Sequence, residues 1–252
     1  MVLAREEARW WLVSVPVRVA TLLVAFLAVV AGTVFMVVHF LLGVGGPPTV
    51  DFTSAASGGQ VNVVLQEDAQ NSVSSKPDWV SYFVQDPQTK QWVHTTLFKV
   101  PANTRVNMTI LGYDGCTPLR NNFFSQVEGT IGNTVSLQQF KDTGKPLGPA
   151  RNYSVVNAWS HCNVGHTFAI PQLRVFVPVA SPNAQLSANS LCGDSPCTSG
   201  PYSLEKFSFM TPKSGGEFRW QCFVPCGGGF LDGNGGPMQT IGFMTGFMTV
   251  AS

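Results

Sequence analysis

The feature that most constrains this chain is the run from Ala20 to Val44, almost unbroken apolar, with His39 its only ionisable residue. As a helix, its 25 residues would span roughly 37 Å, enough to cross a hydrocarbon core of about 30 Å and too long for an ordinary signal-peptide core. No small-residue cleavage pattern follows. The chain passes instead into Gly45, Gly46, Pro47 and Pro48, which end a helix and begin a connection. The run is therefore predicted to be an uncleaved signal anchor. Arg5, Arg9 and Arg18 lie on its N-terminal side, and the next basic residue is Lys76, so the positive-inside rule puts the N-terminus in the cytoplasm and the rest outside. Trp10 and Trp11 suit the headgroup layer, where indole finds both apolar and polar surroundings. The predicted organisation is a cytoplasmic and interfacial N-terminus (1–19), a transmembrane anchor (20–44), a linker (45–60) and an extracytoplasmic domain (61–252).

That domain has no charge asymmetry. The chain has 15 Lys and Arg and 14 Asp and Glu; apart from Arg5, Arg9, Arg18, Glu6 and Glu7, all follow residue 48, leaving twelve of each sign. A balanced surface lacks the basic stripe that attracts nucleic acid, so nucleic-acid binding is excluded. Short β-branched and aromatic runs alternate with Pro, Gly, Asn and Asp clusters, the pattern of strands and turns. Strands are predicted at 61–66, 80–84, 92–100, 106–111, 154–159, 167–170, 173–179, 205–211, 217–223 and 246–250. Segments 112–147 and 181–203 are predicted to be long insertions. Ten short strands without a competing amphipathic helix predict an all-β fold, an antiparallel sandwich or Greek-key barrel.

All six cysteines follow the apolar run, consistent with an oxidising compartment. Cys192 and Cys197 lie in a Gly, Pro and Ser loop and are expected to form a short local disulfide. Cys116 and Cys162 then remain as a permitted pair, although the count alone leaves other pairings open. Cys222 and Cys226 admit two uses, a disulfide across the loop or thiolate ligation of a metal. The glycines after Cys226 lack the Lys and Ser/Thr of a phosphate loop, and no nucleophile elbow or zinc-protease helix occurs, so nucleotide binding and hydrolysis have no support.

Three segments carry a family resemblance. The stretch Phe98-Lys99-Val100-Pro101-Ala102-Asn103-Thr104-Arg105-Val106 looks like the strand, polar turn and strand of cupredoxins. Gly165-His166-Thr167-Phe168-Ala169-Ile170-Pro171 resembles the segment of cytochrome c oxidase subunit II that supplies a first copper-ligating histidine. Trp220-Gln221-Cys222-Phe223-Val224-Pro225-Cys226-Gly227 resembles that family's ligand loop, in which two cysteines four positions apart hold a two-copper centre. Together they cover roughly residues 92–250, the long insertions excepted.

The resemblance implies a cupredoxin-like Greek-key domain and copper as cofactor. His166 would be an imidazole ligand, Cys222 and Cys226 bridging thiolates, the Val224 carbonyl a weak ligand, and Met238 the family's methionine displaced by an insertion. Thiolate, imidazole and thioether donors suit copper. The family's second histidine is missing: Phe230 stands four residues after Cys226, and no histidine follows His166. A second imidazole would come from His161 or His94. Trp220 is a candidate for partner contact or electron entry, or a core aromatic. Three functions follow. The first is an anchored electron-transfer subunit of a membrane redox complex, at most part of an oxidoreductase. The second is a copper-free docking subunit of such a complex. The third is a Cu(I) chaperone, to which Met238, Met244 and Met248 would contribute.

Overall fold

The computed structural model describes residues 14–38, 46–69, 79–115, 121–156, 164–182, 192, 195–226 and 236–252. The chain divides into two units, Met1–Gly46 and Pro47–Ser252.

In the first unit, helix α1 (Val15–Met36) has no buried residue. Its 22 residues give a length of about 33 Å. Pro16 sits in its first turn, where the missing N–H costs no hydrogen bond. Thr21 and Thr33 donate their hydroxyls to the carbonyls of Val17 and Val29, each at 2.9 Å, so both polar groups are satisfied within the helix, as an apolar surrounding requires. The helix is long and apolar enough to cross a membrane. It begins five residues before the predicted anchor, because Val15, Val17 and Val19 extend the apolar face past Arg18. The predicted end at Val44, His39, Trp10 and Trp11 lie outside the described residues.

The second unit is the predicted all-β body, with 13 strands among the described residues. They are β1 (Thr49–Asp51), β2 (Gln60–Asp68), β3 (Ser81–Gln85), β4 (Trp92–His94), β5 (Leu97–Pro101), β6 (Arg105–Gly112), β7 (Val135–Phe140), β8 (Arg151–Tyr153), β9 (Val164–Ile170), β10 (Val175–Ala180), β11 (Tyr202–Met210), β12 (Gly216–Gln221) and β13 (Thr245–Ala251). One sheet has the order β1-β5-β13-β12-β9-β10, the other β4-β3-β2-β6-β11-β7-β8. Alternation builds the interior. Val61, Val63 and Leu65 of β2, and Val106, Met108 and Ile110 of β6, point inward, while Asn62 and Asn107 face out.

The sheets are mixed rather than purely antiparallel: β1 with β5, β5 with β13, and β2 with β6 run parallel. Between β2 and β6, and between β5 and β13, the chain visits the opposite sheet, and such a crossover returns it in the same direction. The segment predicted as one strand at 92–100 splits at Thr95 and Thr96, the corner where the chain changes sheets. Thr95 Oγ1 donates to the Pro48 carbonyl and Thr96 Oγ1 to the Thr245 carbonyl, both at 2.6 Å. Segment 102–104 links β5 to β6 across the sheets, as the predicted strand, turn and strand require. Asn103, at φ 48°, takes the left-handed conformation that asparagine tolerates.

Two predicted connections contain structure. The compact unit starts at Pro47, so residues 47–60, predicted as linker, fold with the domain, and β1 pairs within it. Segment 112–147 contains β7, whose apolar alternation is interrupted by Gln138 and Gln139. The predicted strand at 154–159 is not formed over 154–156, where Val155 makes an isolated bridge to Gln126; β8 lies just before it, and 157–159 lie outside the described residues.

Candidate metal centre

The candidate donors come from β9 and from the loop after β12, neighbours in one sheet. His166 lies on β9, which has a paired strand on either side and is buried along its whole length. Beside it, Gln221 pairs with Ala169, and the chain then turns through Cys222, Val224 and Cys226. The loop is held at its start: the Cys222 amide donates to the Met244 carbonyl at 2.9 Å, and the Phe223 amide to Thr167 Oγ1 at 2.8 Å. The dipeptide His166-Thr167 thus supplies a donor and fixes the loop carrying the others.

Both cysteines are free. Their sulfurs lie 3.3 Å apart, so the disulfide alternative is not realised here. His166 Nδ1 is 2.9 Å from Cys226 Sγ and 3.8 Å from Cys222 Sγ. The Val224 carbonyl accepts from Cys226 Sγ at 2.7 Å and from Cys222 Sγ at 3.5 Å. The Thr167 amide donates to Cys222 Sγ at 3.3 Å. All three donor residues are at most 3% exposed, and one donor atom from each lies within 4.8 Å of the other two. Such a cluster is suited to holding a soft ion or shared protons.

Behind the imidazole stands a second group that the sequence reading missed. His166 Nε2 is 2.8 Å from Asp114 Oδ2 and 3.0 Å from Glu67 Oε1. Glu67 lies near the end of β2 and Asp114 just past β6, so the other sheet supplies both carboxylates. A signal was available: Glu67 continues the inward phase of Val61, Val63 and Leu65, and period two aims its side chain at the interior. Asp114 had no such marker. Next to Glu67, Asp68 Oδ2 accepts from the Cys197 amide at 3.0 Å and from Ser195 Oγ at 3.1 Å. The predicted Cys192–Cys197 disulfide is present and fixes this loop against β2, where Gln66 Nε2 also donates to the Cys197 carbonyl at 2.6 Å.

Burial dominates the electrostatics. It pushes Glu67 above the usual carboxylate range despite the attraction of His166, and pushes Asp68 up to about 8, helped by the neighbouring Glu67 charge. For His166, burial favours the neutral ring, but Cys226, Glu67 and Asp114 outweigh it and hold the imidazole well above its ordinary value. Burial also opposes thiolate formation. Hydrogen bonds from Cys226 and His166 reverse this for Cys222, which falls well below the ordinary thiol range. Burial and the first thiolate push Cys226 up. The two sulfurs titrate as one unit, giving up a first proton readily and a second with difficulty.

Met238 closes the short 3-10 turn Gly236–Met238 and packs in the same buried cluster as Cys222 and Cys226. Met244 and Met248, on or beside β13, are fully buried in that core. His94 is not brought to the donors; it lies on β4 between the rings of Phe83 and Phe243, with centroids 5.1 and 5.2 Å away. Trp220 is fully buried, donates its indole N–H to the Thr96 carbonyl at 3.0 Å and packs on Tyr82 and Phe168. Of the alternatives the sequence left open for it, the structure shows a core aromatic, too buried for direct partner contact. His161, Cys116, Cys162 and Phe230 lie outside the described residues.

No protein-family model and no curated protein matches this chain. Among solved structures it is similar to reduced rusticyanin, at 18% identity over 81% of this chain and 84% of that one, with a TM-score of 0.30. A second similar structure is rusticyanin from Thiobacillus ferrooxidans, at 15% identity over 82% of this chain and 86% of that one, again with a TM-score of 0.30. A multicopper oxidase is matched at 10% identity over 78% of this chain and 45% of its own length, with a TM-score of 0.28.

Proposed function

We propose that this chain is a membrane-anchored, cupredoxin-like electron-transfer protein. It holds copper at His166, Cys222 and Cys226, with Met238 as a weak thioether ligand, and serves a membrane redox complex in the manner of cytochrome c oxidase subunit II. In this reading α1 is the anchor, the N-terminus is cytoplasmic and residues 47–252 are extracytoplasmic. The observation that carries it is the buried convergence of one imidazole nitrogen and two free thiols beside the Val224 carbonyl.

The donors fit the ion chemically: thiolate and imidazole select soft or borderline metals over hard cations. Copper, when bound, would supply one-electron redox chemistry. The protein's part is to arrange its own groups. The first thiolate forms readily, His166 presents Nδ1, and the Thr167 amide donates to the Cys222 sulfur, withdrawing electron density from it. Burial keeps water away, and two strands fix the donors, so little rearrangement accompanies a change of charge. Phe230 at the position of the family's second histidine favours a second reading, a copper-free docking subunit.

The test is reconstitution of the detergent-solubilised full chain with copper, followed by metal analysis and visible and paramagnetic-resonance spectra, with Cys222→Ser and Cys226→Ser as controls. Bound copper with intense thiolate bands, lost in both controls, supports the electron-transfer reading. A colourless, folded, metal-free protein refutes it and leaves the docking subunit. Tight Cu(I) binding without visible bands identifies a carrier instead.

A further inference from the structure

We infer that Asp114, seated against Glu67, is a positioning residue for His166: it keeps a ring proton on Nε2 and so presents Nδ1 to the Cys222 and Cys226 sulfurs. The inference rests on the copper reading only for its effect on metal affinity; the hold of Asp114 on the Nε2 proton is a property of the metal-free protein.

The ring sits between two unlike surroundings. On one side Nδ1 meets sulfur at 2.9 Å; on the other Nε2 meets carboxylate oxygens at 2.8 and 3.0 Å. An Nε2 without hydrogen would point its lone pair at two oxygens inside a site where His166 is 2% exposed, an uncompensated polar contact costing a few kcal/mol (~1–3). With the proton there, the contact becomes a charge-assisted hydrogen bond. A single N–H cannot align with both oxygens. It aligns with Asp114, whereas Glu67 Oε1 has no hydrogen-bond partner among the described residues. Glu67 acts one step back: its Oε2 accepts from the Asp114 amide at 3.3 Å, and its carbonyl accepts from the Tyr113 amide at 3.0 Å. The segment 113–114 is thereby fixed to β2.

The backbone is shaped for this approach. Gly165 precedes His166, and a Cβ there would lie 2.5 Å from the Gly115 carbonyl oxygen, so glycine is what allows the Asp114 turn so close to β9. Carboxylate–imidazole pairs of this kind fix ring orientation and raise donor strength at metal sites, and losing the outer partner typically weakens binding by about 10–100-fold. Asp114 bonds to the far side of the ring from the sulfurs, and its side chain is 24% exposed, so it can be changed with the thiol pair left in place.

The experiment uses the full chain in detergent, wild type beside Asp114→Ala, Asp114→Asn and Cys222→Ser. Nitrogen-15 correlation spectra of the metal-free proteins locate the His166 ring protons, with His166→Gln for assignment and the Trp220 indole N–H resonance reporting an intact core. Competition against a chromophoric Cu(I) chelator then gives affinities. The expected result is an Nε2 proton held against exchange with solvent in wild type and Asp114→Asn, which keeps an acceptor oxygen, and an Nε2 proton that exchanges rapidly in Asp114→Ala. Copper affinity should fall about 10–100-fold in Asp114→Ala and by less in Asp114→Asn. An Nε2 proton held as in wild type in a folded Asp114→Ala, or wild-type copper affinity in that variant while Cys222→Ser has lost it, overturns the inference. If wild type binds no copper, the copper reading fails, and the metal-free spectra alone decide this one. Should Asp114→Ala not fold, Gly165→Ala, which displaces the same turn, takes its place with the same two readouts.

Discussion

Glu205→Gln should abolish a large part of the domain's pH-dependent stability. Glu205 lies on β11, between Ile110 of β6 and Leu137 of β7, and is fully buried. One oxygen accepts from the Ala180 amide at 2.5 Å; the other has no hydrogen-bond partner among the described residues. Burial therefore pushes its pKa from the ordinary 4.5 up to about 8, with the single amide too weak to offset it. The folded chain keeps a proton that the unfolded chain releases. Stability from this group is complete below pH 4.5 and falls as pH rises to about 8, at about 1.4 kcal/mol per pH unit, for a total of about 5 kcal/mol. Glutamine imitates the protonated form, keeping the acceptor for Ala180 while losing the titration. The assay is guanidinium unfolding of the full chain in detergent, followed by tryptophan fluorescence at half-unit steps across that range. Contributions from Asp68 and the thiols cancel in the difference between variant and wild type. The difference should start near zero in acid and grow to several kcal/mol in favour of glutamine at pH 8. A difference independent of pH would refute the claim that Glu205 is held protonated by burial.

Other changes probe packing and the frame of the site. Gly165→Ala should destabilise the fold by about 1–3 kcal/mol, because the added methyl meets the Gly115 carbonyl and backbone must shift; thermal unfolding measures it. Tyr82→Phe should raise stability by roughly 1 kcal/mol, since it removes a fully buried hydroxyl without a hydrogen-bond partner among the described residues at little cost in shape; a loss on denaturant unfolding would show that the hydroxyl is held. Replacing Cys192 and Cys197 by serine opens a loop of sequence separation 5 and should cost about 2 kcal/mol by chain entropy, measured against wild type under non-reducing conditions.

Much of the fold was legible in the chain because hydrophobic periodicity is local. The apolar run predicts a helix that needs no partner, and Val61, Val63 and Leu65 or Val106, Met108 and Ile110 declare strands with one inward face. The donor side of the site was legible for a related reason: Cys222 and Cys226 are close in sequence, and a short turn can join their sulfurs whatever the rest of the chain does. Strand direction and the sheet-changing corner at Thr95 and Thr96 were not legible, since both follow from crossovers between distant segments. Nor was the fate of Trp220, whose sequence neighbours belong to the candidate donor loop while its ring belongs to the core.

The sequence by itself determined that an apolar helix precedes a β-rich domain, and that a histidine and two cysteines are candidates for one centre. Only the tertiary structure decided that His166 meets them through Nδ1 and has Glu67 and Asp114 at its other nitrogen. Separations of 99 and 52 residues (166 less 67 and 166 less 114) are invisible to any local pattern. It is the stacking of two sheets that brings β2 and the turn after β6 against β9 and sets two carboxylate oxygens within 3.0 Å of the His166 ring.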